Sequence, residues 1–266
     1  MKKWLSLVML AVGVMTLAAC GSSKKEAASA AEKKTVVVGL DDTFVPMGFK
    51  DDKGQIVGFD VDVAKAVFAL TDTKVKFQPI DWSMKETELS NGTIDMIWNG
   101  YTVTNERKKK VTFSDSYLKN IQVLVTKKSS DIKDMDGMKG KILGAQEGSS
   151  GYSAFGEQAD VLKNKVKDQD ATLYASFNEA FIDLENGRIN GLLVDKVYAE
   201  YFLKQANKLA DYNLLETPYK QESFAVGVRK DDQKLADKIN KGIKQLKANG
   251  QYEEIVKKWF GEAATK

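Results

Sequence analysis

The chain has 266 residues, enough for one large domain or for two lobes with substantial cores. It is 43% hydrophobic and 29% charged with a formal charge of +3, a balance that excludes the concentrated basic face of a nucleic-acid-binding protein. There is no histidine and only one cysteine, which excludes Ser-His-Asp and Cys-His catalysis, imidazole metal ligands and an intrachain disulfide. We therefore expect neither a metal site nor a cofactor.

Residues 1–19 predict a signal peptide. Lys2 and Lys3 give a basic start, and the apolar run that follows is shorter than the ~20 residues a membrane-spanning helix needs. The ending LAAC at 17–20 resembles the lipobox of bacterial lipoproteins, which implies cleavage before Cys20 and a lipid on its sulfur. The alternative is an ordinary secreted protein with a stray cysteine. An unpaired thiol is unusual in an exported protein, which favours the lipid anchor.

Residues 20–34 contain no large apolar side chain and predict a flexible tether. From Thr35 onward, short β-branched runs alternate with helical patterns, which predicts an α/β fold with largely parallel sheets. The predicted strands are 35–40, 74–80, 94–98, 121–126, 141–145, 172–174, 191–194 and 223–229. The predicted helices are 59–68, 85–89, 178–186, 196–206, 231–248 and 251–260.

Four of the predicted strands end in polar residues suited to a small ligand. These strand ends are Asp41, Asn99 to Thr102, Gly148 to Ser150, and Asp195. In open α/β sheets, ligands bind beyond the carboxyl ends of the strands. Two of the four lie in each half of the chain, which predicts a cleft between two lobes.

The stretch from Ile94 to Tyr117 has two interpretations. The first is a buried strand, a turn, and a capped helix followed by solvated charges. In the second, Gly100 exposes backbone groups to a ligand, and Arg107 offers a planar charged fork to a carboxylate. Taken alone, the stretch favours the first interpretation.

Combined with the other strand ends, the same residues predict a grip on a free α-amino acid. Arg107 and Thr102 suit the α-carboxylate, together with the backbone amides near Ser149 and Ser150. Asp195 suits the α-ammonium, helped by a backbone carbonyl near Gly100. Each buried charge would then be paired, as its desolvation requires.

Eight short motifs, each occurring once, lie along the chain. They are Asp41 to Pro46, Gly58 to Asp62, Ile94-Asp95 through Arg107, Phe113 to Asp115, Gly148 to Ser150, Val194-Asp195, Asn249 to Tyr252 and Lys257 to Phe260. By their order and spacing, the chain resembles a lipoprotein-type extracytoplasmic solute-binding protein of a polar amino acid ABC transporter. The resemblance extends from about Val36 to Phe260.

The resemblance implies a type II periplasmic-binding-protein-like clamshell of two α/β lobes with two crossover strands, near 118–122 and 220–224. Residues 35–119 with 222–266 would form lobe 1, and residues 120–221 would form lobe 2. It also implies a monomeric receptor rather than an enzyme. The receptor would deliver a free polar L-amino acid to the permease of an ABC importer, from the outer face of a bacterial cytoplasmic membrane.

Family position also implies a pocket for the ligand side chain. Phe44 and Trp82 would lie on its two faces, although Trp82 also suits core packing. Asp41 would meet its polar end, with Gln146 nearby. Asp41 and Asp60 favour a cationic side chain, so we expect arginine or lysine first, with glutamine and cystine next.

Two alternatives belong to other functional classes. One is an enzyme on the same fold, such as a dehydratase or a lyase, with a carboxylate as its base. The absence of histidine argues against it. The other is an amino-acid sensory receptor, which no sequence motif separates from a transport receptor.

Overall fold

The computed structural model describes residues 29–261. Its strands are β1 (Thr35–Leu40), β2 (Thr43–Phe44), β3 (Gly48–Lys50), β4 (Ile56–Val57), β5 (Lys74–Pro79), β6 (Met96–Ile97), β7 (Val111–Phe113), β8 (Leu118–Asn120), β9 (Gln122–Lys127), β10 (Leu143–Gln146), β11 (Ala171–Tyr174), β12 (Gly191–Asp195), β13 (Tyr212–Glu216), β14 (Glu222–Phe224) and β15 (Gly227–Arg229). Its α-helices are α1 (Phe59–Ala69), α2 (Lys85–Ser90), α3 (Arg107–Lys110), α4 (Ser150–Glu157), α5 (Phe177–Glu185), α6 (Lys196–Gln205), α7 (Gln233–Ala248) and α8 (Gln251–Phe260).

Two five-stranded sheets form the framework, with strand orders β5-β1-β6-β15-β7 and β11-β10-β12-β9-β13. In the first sheet, β1 is parallel to β5 and β6, whereas β15 is antiparallel to β6 and β7. The second sheet repeats this plan, with β10 parallel to β11 and β12 and with β9 antiparallel to β12 and β13. The expectation of largely parallel sheets is therefore right for only half of each sheet. The predicted strand 223–229 is divided into β14 and β15, and β13 was not predicted.

The two sheets are joined by a pair of crossover strands. β8 leads out of the first sheet into β9, and β14 leads back into β15. The two pair antiparallel, with Glu222 opposite Asn120 and Phe224 opposite Leu118. The crossover strands predicted near 118–122 and 220–224 are thus present. Below, lobe 1 is the part built on the first sheet and lobe 2 the part built on the second, and the predicted residue boundaries remain a proposal.

The helices cover the sheets through apolar faces at helical spacing. In α7, Leu235, Ile239 and Leu246 are fully buried and face α1 and the first sheet. The helix begins where Asp232 accepts a hydrogen bond from the Leu235 N–H at 3.2 Å. In lobe 2, the ring centroids of Phe181 in α5 and Phe202 in α6 lie 4.5 Å apart. Burial of these faces is what holds each lobe together.

The segment from Ser29 to Lys33 is docked on lobe 1. Ala30 is fully buried beside α7, and its N–H donates to Asp232 Oδ2 at 3.0 Å. Lys33 forms an ion pair with Asp95 at 2.6 Å. The flexible tether predicted for 20–34 is therefore wrong at its C-terminal end, because a small alanine fills a gap that composition does not reveal. The predicted signal peptide and Cys20 lie outside the described residues, and within 29–261 no helix is long and apolar enough to cross a membrane.

Candidate ligand-binding site

One cavity between the lobes brings together most of the predicted site residues. The space between its walls, including the part open to solvent, is about 280 Å³. Ten of the twelve predicted residues line it: Asp41, Phe44, Trp82, Asn99, Gly100, Arg107, Gln146, Ser149, Ser150 and Asp195. Phe177 lines it as well, although no sequence pattern indicated that residue.

The cavity lies at the carboxyl ends of strands from both sheets. Asp41 and Asn99 follow β1 and β6 of lobe 1, whereas Gln146 and Asp195 end β10 and β12 of lobe 2. The Asp41 N–H donates to Asn99 Oδ1 at 3.0 Å, which ties the two strand ends of lobe 1 together. The strand-end pattern seen in the sequence thus corresponds to a shared wall between two lobes.

Arg107 is a buried cation in this wall. Its N–H donates to Thr104 Oγ1 at 3.1 Å, so the threonine caps the turn that leads into α3. Its Nη1 donates to Thr102 O at 3.0 Å, and its Nη2 crosses to lobe 2 and donates to Gly148 O at 3.0 Å. The guanidinium lies 4.5 Å from the centre of the Tyr101 ring. Arg107 therefore both follows a capped turn and lines the cleft, so the two interpretations of this stretch are compatible.

Lys85 is a second buried cation beside Arg107. It is 2% exposed, and its Nζ donates to Trp82 O and, across the cleft, to Gly148 O, both at 2.9 Å. Burial and the neighbouring Arg107 lower the pKa of Lys85 to about 8, against the opposing effect of Glu86. No sequence pattern indicated this role, because a lysine in a short polar helix is usually solvated.

Two carboxylates lie near these cations. Asp195 is 5% exposed, and its Oδ1 accepts from the amides of Asn120 and Gln122, the latter at 2.9 Å. Glu222 Oε2 accepts from the same two amides, each at 2.9 Å. Burial raises the pKa of Asp195 well above its usual value, Glu222 raises it further, and Gln122 and Arg107 oppose the shift. Lys85, Arg107, Asp195, Glu222 and the residues that link them through hydrogen bonds form one set, which we call the arginine network.

A second, smaller network surrounds Asp41. Gln146 Nε2 donates to Asp41 Oδ2 at 2.7 Å and to Ala175 O at 2.9 Å. Asp41 Oδ1 accepts from Thr43 Oγ1 at 2.7 Å. Burial raises the pKa of Asp41, and the hydrogen bonds from Thr43 and Gln146 oppose that rise. The Asp41–Gln146 hydrogen bond joins the two lobes directly.

Aromatic rings from both lobes complete the wall. Phe44 of lobe 1 stacks on Tyr198 of lobe 2 with centroids 5.5 Å apart, and it lies 5.9 Å from the ring of Phe177. Trp82 lines the cavity and also packs edge-on against Tyr101 at 6.0 Å. Trp82 therefore both lines the pocket and packs in the core, the two roles considered for it from the sequence.

Gly100 and Gly148 occupy backbone positions where a side chain would not fit. Both have φ in the left-handed region, at +58° and +71°. A Cβ on Gly100 would lie 2.7 Å from a Phe44 ring carbon, and one on Gly148 would lie 3.0 Å from Lys85 Nζ. These glycines allow the backbone to approach the ring and the ammonium that close the cavity.

Two predicted site residues do not line the cavity. Asp60 is 1% exposed, and its Oδ2 accepts from the Gly100 N–H at 2.7 Å and from Tyr117 OH at 2.9 Å. The ligand contact predicted for Asp60 is therefore corrected: the first turn of α1 directs this acid behind Gly100, and burial there raises its pKa to about 7. Thr102 lies beside the cavity, where its Oγ1 donates to Ser150 Oγ of lobe 2 at 3.1 Å.

This arrangement belongs to a known family. A sequence profile of the bacterial extracellular solute-binding proteins, family 3, matches residues 36–262. The chain belongs to this family. The match includes both sheets and every residue of the cavity wall, and it confirms the family and the two-lobed fold predicted from the motifs.

Several relatives of this family-3 chain have been described. It is 32% identical over 260 residues to the arginine-binding extracellular protein ArtP of Bacillus subtilis, covering 98% of each chain. It is 53% identical to an ABC uptake transporter substrate-binding protein from Streptococcus pneumoniae whose structure holds histidine, with a TM-score of 0.86 and coverage of 87% and 94%. An ancestral arginine-binding protein bound to arginine is 37% identical, with a TM-score of 0.79 and coverage of 86% and 99%. All three bind amino acids, the class of ligand predicted from the sequence.

Proposed function

We propose that this family-3 protein captures a free polar L-amino acid in the interlobe cavity and delivers it to an ABC importer. The observation that carries the proposal is that a buried arginine, Arg107, and a buried carboxylate, Asp195, line one interlobe cavity. A zwitterionic amino acid offers a carboxylate to the first and an ammonium to the second. Every buried charge would then have a partner, which is the condition for burying charge at all.

Arg107 would bind the α-carboxylate. Two of its five N–H groups donate to the carbonyls of Thr102 and Gly148, so the fork retains donors for an anion. The first turn of α4, beginning at Ser150, also has backbone N–H groups without intrahelical acceptors, and the helix dipole favours an anion there. Ser149 Oγ caps this helix and the Ser149 N–H donates to Gln146 O at 3.2 Å, so we expect the backbone N–H groups that follow it in α4 to serve the ligand.

The ligand side chain would lie among Phe44, Trp82 and Phe177, with its tip at the Asp41 network. Asp41 places a carboxylate there, which favours a cationic tip. Arginine leads because its guanidinium both stacks on aromatic rings and matches a carboxylate, and lysine follows. Gln146 could also pair with an amide, so glutamine comes next, with cystine.

The relatives support an amino acid and differ in which one. ArtP and the ancestral protein are described as arginine-binding, and the pneumococcal protein holds histidine. Since the pneumococcal protein shares 53% of its residues with this chain, histidine also belongs among the ligands to be tested.

We further propose that residues 1–19 direct export and that a lipid on Cys20 holds a monomeric protein at the outer face of the cytoplasmic membrane. The basic start, the short apolar run and the LAAC ending support this proposal. Replacing Cys20 by serine should release the protein from the membrane fraction. If the serine variant stayed with the membrane, the lipid anchor would be excluded.

A ligand screen tests the binding proposal. The chain from Gly21 onward is melted with each proteinogenic L-amino acid and with cystine, and calorimetry follows for every ligand that shifts the melting temperature. A ligand at a hundredfold excess over Kd should raise the free energy of unfolding by about 2.7 kcal/mol. We expect cationic amino acids to act most strongly. A response to apolar amino acids alone would contradict the proposal, and chemical turnover of a tight ligand would favour the enzyme alternative.

A further inference from the structure

Glu222 lies at the junction of the two crossover strands and lobe 2. It is the first residue of β14, and its Oε2 accepts from Asn120 in β8 and from Gln122 at the start of β9. Both amides also donate to Asp195 at the end of β12. Thr102 Oγ1 of lobe 1 lies 3.3 Å from the same Glu222 oxygen. Two carboxylate oxygens from different strands are therefore held by one pair of amide groups.

The cations around this pair are directed elsewhere. Arg107 acts on Asp195 from a distance, while its own hydrogen bonds go to backbone carbonyls and its Nε lies 3.8 Å from Glu86. Lys85 donates to Trp82 O and Gly148 O. Lys196, the residue after Asp195, turns outward and pairs with Glu216 at 2.7 Å.

The carboxylate pair therefore lacks a cation of its own. Within residues 29–261, the recorded partners of Asp195 and Glu222 are amides and a hydroxyl rather than lysine or arginine nitrogens. Asp195 is buried and Glu222 is partly buried. The negative charge of Glu222 disfavours ionisation of the buried Asp195 beside it.

We propose that Glu222 is the second anion of the ammonium subsite, and that an α-ammonium entering this subsite displaces a proton held by Asp195 beside Glu222. In the free protein this proton neutralises Asp195. In the complex the ligand ammonium supplies the positive charge, and the proton passes to the buffer, so that charge is conserved in the site. This inference rests on the proposed amino-acid function and adds a residue and a proton to it.

The proton gives the proposal a definite pH dependence. Burial and the neighbouring Glu222 raise the pKa of Asp195 in the free protein, whereas a bound ammonium favours its ionised form and lowers that pKa. Binding then requires loss of a proton at neutral pH. The affinity should increase about tenfold for each pH unit from pH 6 towards pH 7.5, since one proton is released for each ligand bound.

Calorimetry in buffers of different ionisation enthalpy measures this proton directly. At pH 7 the binding enthalpy of the amino acid selected by the screen is compared in phosphate and in Tris. We expect about one proton released per site. Absence of binding heat with every amino acid would refute the proposed function itself. Binding with no buffer dependence would overturn the proton inference and leave the binding function intact.

Two variants separate Glu222 from other carboxylates. In Glu222→Gln, Asp195 loses its neighbouring negative charge but stays buried, so the number of protons released and the steepness of the pH dependence of affinity should both decrease. Glu157→Gln makes the same change at an exposed position at the end of α4 and should retain both. If Glu222→Gln released as many protons per site as the unmodified protein, the role of Glu222 would be refuted. The pH series on the unmodified protein tests the proton release even if that variant does not fold.

Discussion

The arginine network and the Asp41 network form two parts of one cavity wall and differ in kind. The arginine network contains two buried cations, a buried and a partly buried carboxylate, and backbone carbonyls, and its hydrogen bonds cross between the lobes at Gly148 and Ser150. The Asp41 network contains one carboxylate and one amide beside aromatic rings. The first matches the charges that all amino acids share, whereas the second meets what differs among them. The difference suggests that affinity depends mainly on the first part and selectivity on the second.

The largest effect should follow from Arg107→Ala. The change would leave the ligand carboxylate without its cation in a desolvated site, which costs about 3–5 kcal/mol for a buried pair. We expect calorimetry to detect no binding, while the melting temperature without ligand shows that the protein is folded. Arg188→Ala is the matched control, because Arg188 is exposed and pairs with Asp183 on the surface of lobe 2. Unchanged affinity in the Arg107 variant would disprove the assignment of the carboxylate.

Asp41→Asn should alter selectivity rather than abolish binding. Loss of a partly desolvated carboxylate should lower the affinity for a cationic amino acid by about 10- to 100-fold, since hydrogen bonds to charged groups contribute ~1.5–3 kcal/mol. Glutamine should lose much less. Asp42→Asn is the control, because its carboxylate pairs with Lys50 and does not line the cavity. If the affinities for arginine, lysine and glutamine fell equally, the Asp41 network would not determine selectivity.

Lys85→Met should have an intermediate effect, because it removes the lysine half of the contact with Gly148. Arg107 also donates to this carbonyl, so the lobes can still close, but the loop before α4 loses one of its two cationic donors. We expect about tenfold weaker binding for every amino acid, without a change in selectivity, since a single hydrogen bond to a charge is worth ~1.5–3 kcal/mol. Lys110→Met, at an exposed lysine that pairs with Glu106, should leave affinity unchanged. A change of selectivity in Lys85→Met would contradict the assignment of selectivity to the Asp41 network alone.

The smallest effect concerns Asp60, which supports Gly100 from behind the cavity. Its pKa is about 7 in the folded protein, well above its value in the unfolded chain. The folded state therefore binds more protons between about pH 4 and pH 7, and Asp60 makes the stability of the ligand-free protein fall as pH rises through that window. Denaturant unfolding of Asp60→Asn should show a shallower decline than the unmodified protein. Identical pH profiles would show that Asp60 is ionised without penalty.

The sequence indicated the site well where function depends on strand ends. Asp41, Asn99, Gln146 and Asp195 directly follow or end strands, and parallel strands place such residues at one edge of a sheet. Asp60 was misplaced because its acid sits in the first turn of a helix, where a dipole partner and a ligand contact look alike in sequence.

The residues that the sequence did not indicate act through three-dimensional contacts. Lys85, Glu222 and Phe177 come from short or ordinary elements, and they gain their roles only when the lobes meet. Ala30 was likewise assigned to a tether, because a single small residue against α7 leaves no periodic signal. The antiparallel direction of β9 and β15 was also hard to foresee, since a buried strand reads the same in either direction.

The central claim is that the arginine network recognises the α-carboxylate and α-ammonium of a free amino acid. Calorimetric titration with the amino acid selected by the screen and with its α-methyl ester tests this claim most directly, because the ester keeps the side chain and the ammonium and replaces the carboxylate by a neutral group one methyl larger. We predict that the amino acid binds and that the ester gives no measurable heat at the same concentration. Equal affinity for the two compounds would contradict the claim.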